Sequence, residues 1–166
     1  KALLSFGTVV PLIEKTSGYC AIQMINGEEA FIPAQQDISQ RQRSDIIKLA
    51  TNLLGVPYLW GGKSSFGYDC SGFVQMVLKT AGISIERDSS QQVKDVKLEE
   101  ISMNYASPGD LMFFSENDCI NHVAFVMGGG KIIHCSGEVK IESIIDGKPG
   151  FNNKLAKLEP TFRSIS

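Results

Sequence analysis

Basic clusters, metal-ligand spacings and long apolar runs are scarce in this chain of 166 residues. No run of Lys and Arg exceeds two residues, and basic residues do not alternate with aromatic ones, so a nucleic-acid-binding surface is not indicated. No apolar stretch approaches the roughly 18 residues of a membrane-spanning helix, and no signal peptide is recognisable. We therefore expect neither a nucleic-acid partner nor a membrane span.

Cysteine and histidine are both few in this sequence. The four cysteines are Cys20, Cys70, Cys119 and Cys135. None has the CxxC or CxxH spacing of a structural zinc site, so we expect no metal and no cofactor. An even number would permit two disulfides, while a free reactive thiol is the alternative. The only histidines, His122 and His134, are then the candidates for the base that a reactive cysteine needs.

The order of predicted elements indicates an α+β fold with helices first and an antiparallel sheet after them. Residues 1–33 look rich in β structure, with Asn26-Gly27 as a hairpin turn, and a polar linker follows at 34–44. Apolar residues at helical spacing predict one helix over 46–54 and another over about 70–81. Four short strand-like runs come next: Leu111–Phe114, His122–Met127, Lys131–Cys135 and Val139–Ile145.

Cys70 falls in the first turn of the second predicted helix, with Asp69 as its predicted N-cap. The positive end of a helix favours a thiolate, so Cys70 is a candidate nucleophile and the thiol that we expect to be most reactive. Asp69 opposes a thiolate unless its charge is engaged by backbone N–H groups. A buried cysteine that serves only as a small apolar residue is the alternative interpretation.

The two histidines are predicted to lie on neighbouring strands. We assume that Met127 pairs with Lys131 across the three glycines at 128–130. Because strand side chains alternate with a period of two, this register places His122 and His134 on one face, diagonally offset. One imidazole would then act as a base and the other would orient it. A slip of one residue would separate them, and a pair of purely structural histidines remains the alternative.

Ordered motifs run through most of the chain, and together they resemble the NlpC/P60 family of cell-wall cysteine peptidases. They are Gly55–Gly62, Tyr68–Val74, Arg87–Gln92, Pro108–Phe114, Asn121–Ala124 and Lys131–His134. The resemblance covers roughly residues 45–145. It implies a papain-like α+β fold with Cys70, His122 and His134 as the catalytic triad.

Residues 1–33 resemble the end of a bacterial SH3-like module, which we expect to be completed by residues before Lys1. The family branch with such modules consists of γ-D-glutamyl-L-diamino-acid endopeptidases acting on peptidoglycan stem peptides with a free N-terminal L-Ala. The resemblance therefore predicts a partial SH3-like module and linker over 1–36 and a catalytic domain over 37–166. It also implies a place in the cell envelope, periplasmic or secreted, with cytoplasmic recycling as the alternative.

Five further residues are predicted to bind substrate: Asp69, Ser71, Ser89, Trp60 and Tyr58. The resemblance implies that the first three hold the terminal amine of the stem peptide. The two aromatic residues are candidate stacking groups, although loop or core packing is their commoner role. Rival functions are an N-acetylmuramoyl amidase or acyltransferase on the same fold, and a non-catalytic wall-binding module.

Overall fold

The computed structural model describes residues 4–34 and 43–165. Three α-helices lie in these ranges, namely α1 (Arg43–Thr51), α2 (Cys70–Thr80) and α3 (Ser89–Gln92), together with two 3₁₀ helices, Met103–Tyr105 and Leu155–Lys157. The strands are β1 (Leu12–Lys15), β2 (Tyr19–Gln23), β3 (Glu29–Pro33), β4 (Lys63–Ser64), β5 (Gly67–Tyr68), β6 (Leu98–Ile101), β7 (Leu111–Glu116), β8 (Cys119–Gly128), β9 (Lys131–Ser136), β10 (Glu138–Ser143) and β11 (Pro160–Ile165). None of the helices described is long and apolar enough to cross a membrane.

The first three strands form a small antiparallel sheet in the order β1-β2-β3. The predicted hairpin is confirmed, with Gly27 at a φ of 83° in the turn between β2 and β3. A positive φ of this kind suits glycine, which has no side chain to clash with the backbone. The predicted linker at 34–44 lies largely outside the described residues, as does the proposed boundary between 36 and 37. The assignment of residues 1–36 to an SH3-like module stays a prediction.

Six antiparallel strands form the main sheet, in the order β10-β9-β8-β7-β11-β6. The four predicted strand runs correspond to β7, β8, β9 and β10. Strands β6 and β11 of this sheet were not predicted. They lie at the edge opposite β10, where β11 pairs with both β7 and β6. Their sequences contain polar residues or proline where a buried strand would be apolar, with Glu99 and Glu100 in β6 and Pro160 at the start of β11, so neither has the pattern of a buried strand.

Helix α2 crosses the main sheet and carries the first residue of the candidate site. Its predicted N-cap is confirmed: the Asp69 side chain accepts a hydrogen bond from the Gly72 N–H at 2.6 Å. Gly82, with a φ of 86°, follows the last turn and lets the chain leave the helix. One face of α2 is apolar and packs on the sheet through Phe73, Val74, Val77 and Leu78. This packing fixes where the start of the helix meets β8.

Candidate active site

The start of α2 places the Cys70 thiol against β8. Its Sγ lies 4.0 Å from the backbone oxygen of Asn121, the residue that precedes His122. The backbone N–H of Val123, on the other side of His122, also interacts with the thiol. Cys70 is buried. Two elements far apart in the sequence therefore bring the predicted nucleophile beside the backbone that carries the predicted base.

The two histidines are in direct contact. In the body of the β8–β9 hairpin the predicted register is confirmed, since Phe125 pairs with Ile133 and Val126 with Ile132. The predicted pairing at the turn was wrong, because a bulge places Gly128 rather than Met127 opposite Lys131. The His122 Nε2 and the His134 Nδ1 are 2.8 Å apart.

A carboxylate that the sequence analysis missed extends this contact. The Oε2 of Glu142, on β10, lies 2.8 Å from the Nε2 of His134. The signal was present in the chain: Gly137 marks a tight turn after β9, and Lys140 pairs with His134 across it. Residues two apart on a strand share a face, so Glu142 is the diagonal neighbour of His134.

Burial keeps both imidazoles neutral near neutral pH. Desolvation, together with the adjacent His134, lowers the pKa of His122 to about 3. Desolvation also lowers the pKa of His134, against the opposing effect of the Glu142 charge. A neutral imidazole has one nitrogen with a proton and one without. His122 therefore has one unprotonated ring nitrogen over the whole neutral range.

The pKa of the Cys70 thiol differs from what its position at the start of a helix predicts. Burial is the main effect and raises its pKa, and the charge of Asp69 acts in the same direction. The backbone N–H groups of Val123, Ser71 and Cys70 oppose these effects without outweighing them. The expectation of a stabilised thiolate was thus wrong for the free site. The resting pair is a neutral thiol and a neutral imidazole.

This resting state reverses the expected order of thiol reactivity. Cys119 is exposed, whereas Cys70 is buried with a raised pKa. Because alkylation needs an accessible thiolate, we expect iodoacetamide at pH 7 to label Cys119 before Cys70, and labelling of Cys70 to accelerate as the pH rises. Peptide mass spectrometry after timed labelling measures both rates. Faster labelling of Cys70 than of Cys119 at pH 7 would contradict the neutral-thiol state, and a Cys119→Ser variant isolates the Cys70 rate.

Asp69 lies at the centre of a charged cluster beside the nucleophile. Arg87 donates to both of its carboxylate oxygens, at 3.0 and 2.6 Å, and Gly61 N–H donates to Oδ2 at 2.9 Å. Burial alone would raise the pKa of Asp69, but the hydrogen bonds from Arg87 and Gly72 outweigh it and lower the pKa. Arg87 also donates to the Ser71 Oγ at 2.9 Å. Arg87 begins the Arg87–Gln92 motif, but its pairing with Asp69 was not predicted from the sequence.

The other predicted substrate residues surround this cluster at different depths. Ser89 is buried at the start of α3, and the side chain of Gln92 in α3 donates to the Ser71 backbone oxygen at 3.1 Å. Tyr58 is half-buried, and its pKa is raised chiefly by burial, with the charge of Asp69 acting in the same direction. Trp60 is 87% exposed and is not part of a hydrophobic core. It lies in the loop that also contains Gly61.

A family model described as "NlpC/P60 family" matches residues 55–153, the part of the chain that contains Cys70 and both histidines. This chain belongs to the NlpC/P60 family. The match covers more than half of the sequence and agrees with the ordered motifs found in it. The predicted family and its α+β fold class are confirmed.

Relatives of known name and solved structures are similar to a larger part of the chain than residues 55–153. A γ-D-glutamyl-L-lysine dipeptidyl-peptidase of Bacillus subtilis is 41% identical over 138 residues, 79% of this chain and 46% of the relative. A protein of that name from Bacillus cereus is 32% identical over 165 residues, 92% of this chain and 49% of the relative. A crystal structure of an NlpC/P60 family protein from Bacillus cereus has a TM-score of 0.75 at 29% identity, over 95% of this chain and 54% of that one. The chain thus spans about half the length of these relatives.

Proposed function

We propose that this chain is a cysteine peptidase that hydrolyses the bond between γ-D-glutamate and an L-diamino acid in peptidoglycan stem peptides. The observation that carries the proposal is the 2.8 Å contact between His122 and His134, next to a Cys70 thiol held at the start of α2. The names of the two Bacillus relatives support the bond and the substrate class. Such a substrate implies a role associated with the cell wall.

The contacts support a distinct role for each of the three residues. His122 uses Nε2 for its contact with His134, so Nδ1 is the nitrogen that would take the proton of the Cys70 thiol. The resulting thiolate attacks the carbonyl carbon of the γ-glutamyl bond, and the imidazolium of His122 then donates its proton to the departing amine. Water hydrolyses the thioester that is left, with His122 acting once more as the base.

In this mechanism the Cys70 thiol transfers its proton to His122 during the reaction, and no thiolate–imidazolium pair is formed beforehand. Since burial keeps both Cys70 and His122 neutral at rest, the charges form only when the thiol is deprotonated for attack. The N–H groups at the start of α2 already face the sulfur, and they would stabilise the negative charge that develops there and on the carbonyl oxygen. His134 holds the ring of His122 in place, and the charge of Glu142 favours the protonated form of His122.

We also propose that Asp69, Ser71 and Ser89 help to bind the free amine of the terminal L-Ala. Asp69 and Ser71 flank the nucleophile, and Gln92 ties α3, which begins with Ser89, to the same position. Asp69 is paired with Arg87, so the ammonium would share the carboxylate with the guanidinium. Replacing Asp69 would therefore disturb the helix cap and the ion pair together, and a change in the substrate is the cleaner test.

The N-terminal segment contacts the loop between β4 and β5. Phe6 N–H donates to the Ser65 Oγ at 2.9 Å, and Ser65 N–H donates to the Ser5 Oγ at 2.8 Å. Ser65 lies between β4 and β5, in the segment that leads into Asp69 and α2. We propose that residues 1–36 belong to an SH3-like module that limits the length of the peptide reaching Cys70.

The proposed activity predicts cleavage of L-Ala-γ-D-Glu-L-Lys, or of the diaminopimelate analogue, into L-Ala-D-Glu and the free diamino acid. The N-acetylated peptides should be cleaved roughly a hundredfold more slowly in kcat/KM, because acetylation removes the ammonium and leaves its polar partners without a ligand. Chromatography with mass spectrometry of both products measures the rates.

Two outcomes of this experiment separate the parts of the proposal. Equal rates on free and acetylated peptides would remove the amine site and leave the peptidase assignment intact. Release of the intact tripeptide from an added muramoyl tripeptide, without cleavage after D-Glu, would indicate an amidase instead. A Cys70→Ala variant assayed beside the wild type excludes cleavage by a contaminating hydrolase.

A further inference from the structure

A line of hydrogen bonds runs from His122 through His134 to Glu142 and ends on a backbone amide. The Oε2 of Glu142 lies 2.8 Å from the His134 Nε2 and 2.6 Å from the Asn152 Nδ2. The Asn152 Oδ1 in turn accepts a hydrogen bond from the Leu155 N–H at 2.9 Å. Because that N–H can only donate, it fixes which end of the Asn152 amide faces Glu142.

The carboxylate is held ionised and in one orientation. Burial alone would raise the pKa of Glu142, but hydrogen bonds from Asn152 and Lys140 and the nearby His134 outweigh burial and lower it. The Lys140 Nζ lies 3.1 Å from the other oxygen, Oε1. Both oxygens of Glu142 are thus engaged by donors, and Oε2 is directed at His134.

An ionised carboxylate can only accept, and this sets the direction of every bond along the line. His134 must donate from Nε2 to Glu142, so in its neutral form Nδ1 carries no proton. The His134 Nδ1 is therefore an acceptor, and His122 must donate to it from Nε2. A neutral His122 that carries its proton on Nε2 has an unprotonated Nδ1, which is the form that a base for Cys70 requires.

We infer that Glu142 is a positioning residue that selects the base form of His122 through His134. Glu142 touches His134 alone of the three proposed catalytic residues, so its effect passes through the two imidazoles. It also stabilises the positive charge that His122 gains when the thiol loses its proton, because Glu142 is an anion linked to His122 through His134. The inference deepens the proposed function and rests on it for its effect on rate, whereas the positions of the protons can be measured without any substrate.

The first test is long-range ¹H–¹⁵N NMR of the full chain labelled with ¹⁵N-histidine. Because the sequence has two histidines, four ring nitrogens are to be assigned. In wild type both residues should carry the proton on Nε2 at pH 7, with Nδ1 unprotonated. In Glu142→Ala the spectra should show His122 and His134 populating the other tautomer or exchanging between the two. A proton on Nδ1 of either histidine in wild type would overturn the inference.

The second test is kinetic and uses two variants of Glu142. Glu142→Ala should lower kcat roughly ten- to a hundredfold with KM changed less than about twofold, since Glu142 is not among the residues proposed to bind substrate. Glu142→Gln should retain more activity than the alanine variant, because Asn152 still needs an acceptor and holds the new amide oxygen toward His134. Glu99→Gln, the same change at an exposed position on β6, is the matched control.

The outcomes are distinguishable from a failure of the proposed function. Should wild type cleave no stem peptide, the peptidase assignment falls while the NMR result still decides the tautomers. Should wild type cleave and Glu142→Ala match its kcat, the positioning role is excluded. A thermal melt of each variant shows whether it is folded, and Glu142→Gln keeps the test open where the alanine variant does not fold.

Discussion

Replacing Cys70 with alanine is expected to abolish hydrolysis of the stem peptide, with a loss in kcat on the order of 10⁴-fold or more. No other described thiol is placed to substitute for it. Cys135 is buried, donates to the Tyr68 backbone oxygen at 3.1 Å and has a pKa raised to about 12 by its burial. Timed product analysis with the wild type as reference measures the loss.

The fold should survive this change. Cys70 is the first residue of α2, alanine is a good helix former, and the Asp69 cap uses the Gly72 N–H rather than the cysteine side chain. We therefore expect a melting temperature within a few degrees of wild type. Cys119→Ser, which alters an exposed thiol, serves as the matched control and should keep full activity. Substantial turnover by a folded Cys70→Ala protein would exclude Cys70 as the nucleophile.

The contact between the histidines could be predicted because it depends on local chain geometry. A strand, a short glycine turn and a second strand leave few possible registers, and the period of two then decides which side chains share a face. The bulge at Met127 was not predicted, yet the paired residues nearer the histidines kept their partners. The same reasoning applied to the turn at Gly137 would have found Glu142, since β9 and β10 pair without a bulge.

Features that depend on distant parts of the chain could not be predicted in this way. The pairing of Arg87 with Asp69 joins a loop to the start of a helix 18 residues earlier, and no periodicity links them. Strand β11 finds its place between β7 and β6 through tertiary pairing alone. The protonation of Cys70 likewise depends on burial by β8, which outweighs the effect of the helix start that the sequence does reveal.

The proposed mechanism requires unequal roles for the two histidines. His122 both removes the thiol proton and protonates the leaving amine. His134 cannot replace it in either step, because both of its ring nitrogens are engaged by His122 and Glu142. His134 is fully buried between His122 and Glu142 and acts on the reaction through His122. An amide side chain can also accept a hydrogen bond from the His122 Nε2, which makes His134→Gln a conservative replacement.

We expect His122→Ala to lose activity nearly as completely as Cys70→Ala, and His134→Gln to keep a measurable fraction of kcat. The alanine variant leaves the buried His134 Nδ1 without its partner, which costs about 1–3 kcal/mol of stability, so a thermal melt must show that the variant is folded. Initial rates with saturating tripeptide compare the two variants. If folded His134→Gln lost as much activity as His122→Ala, orientation of His122 alone would not explain the role of His134, and the unequal roles assigned to the two histidines would be wrong.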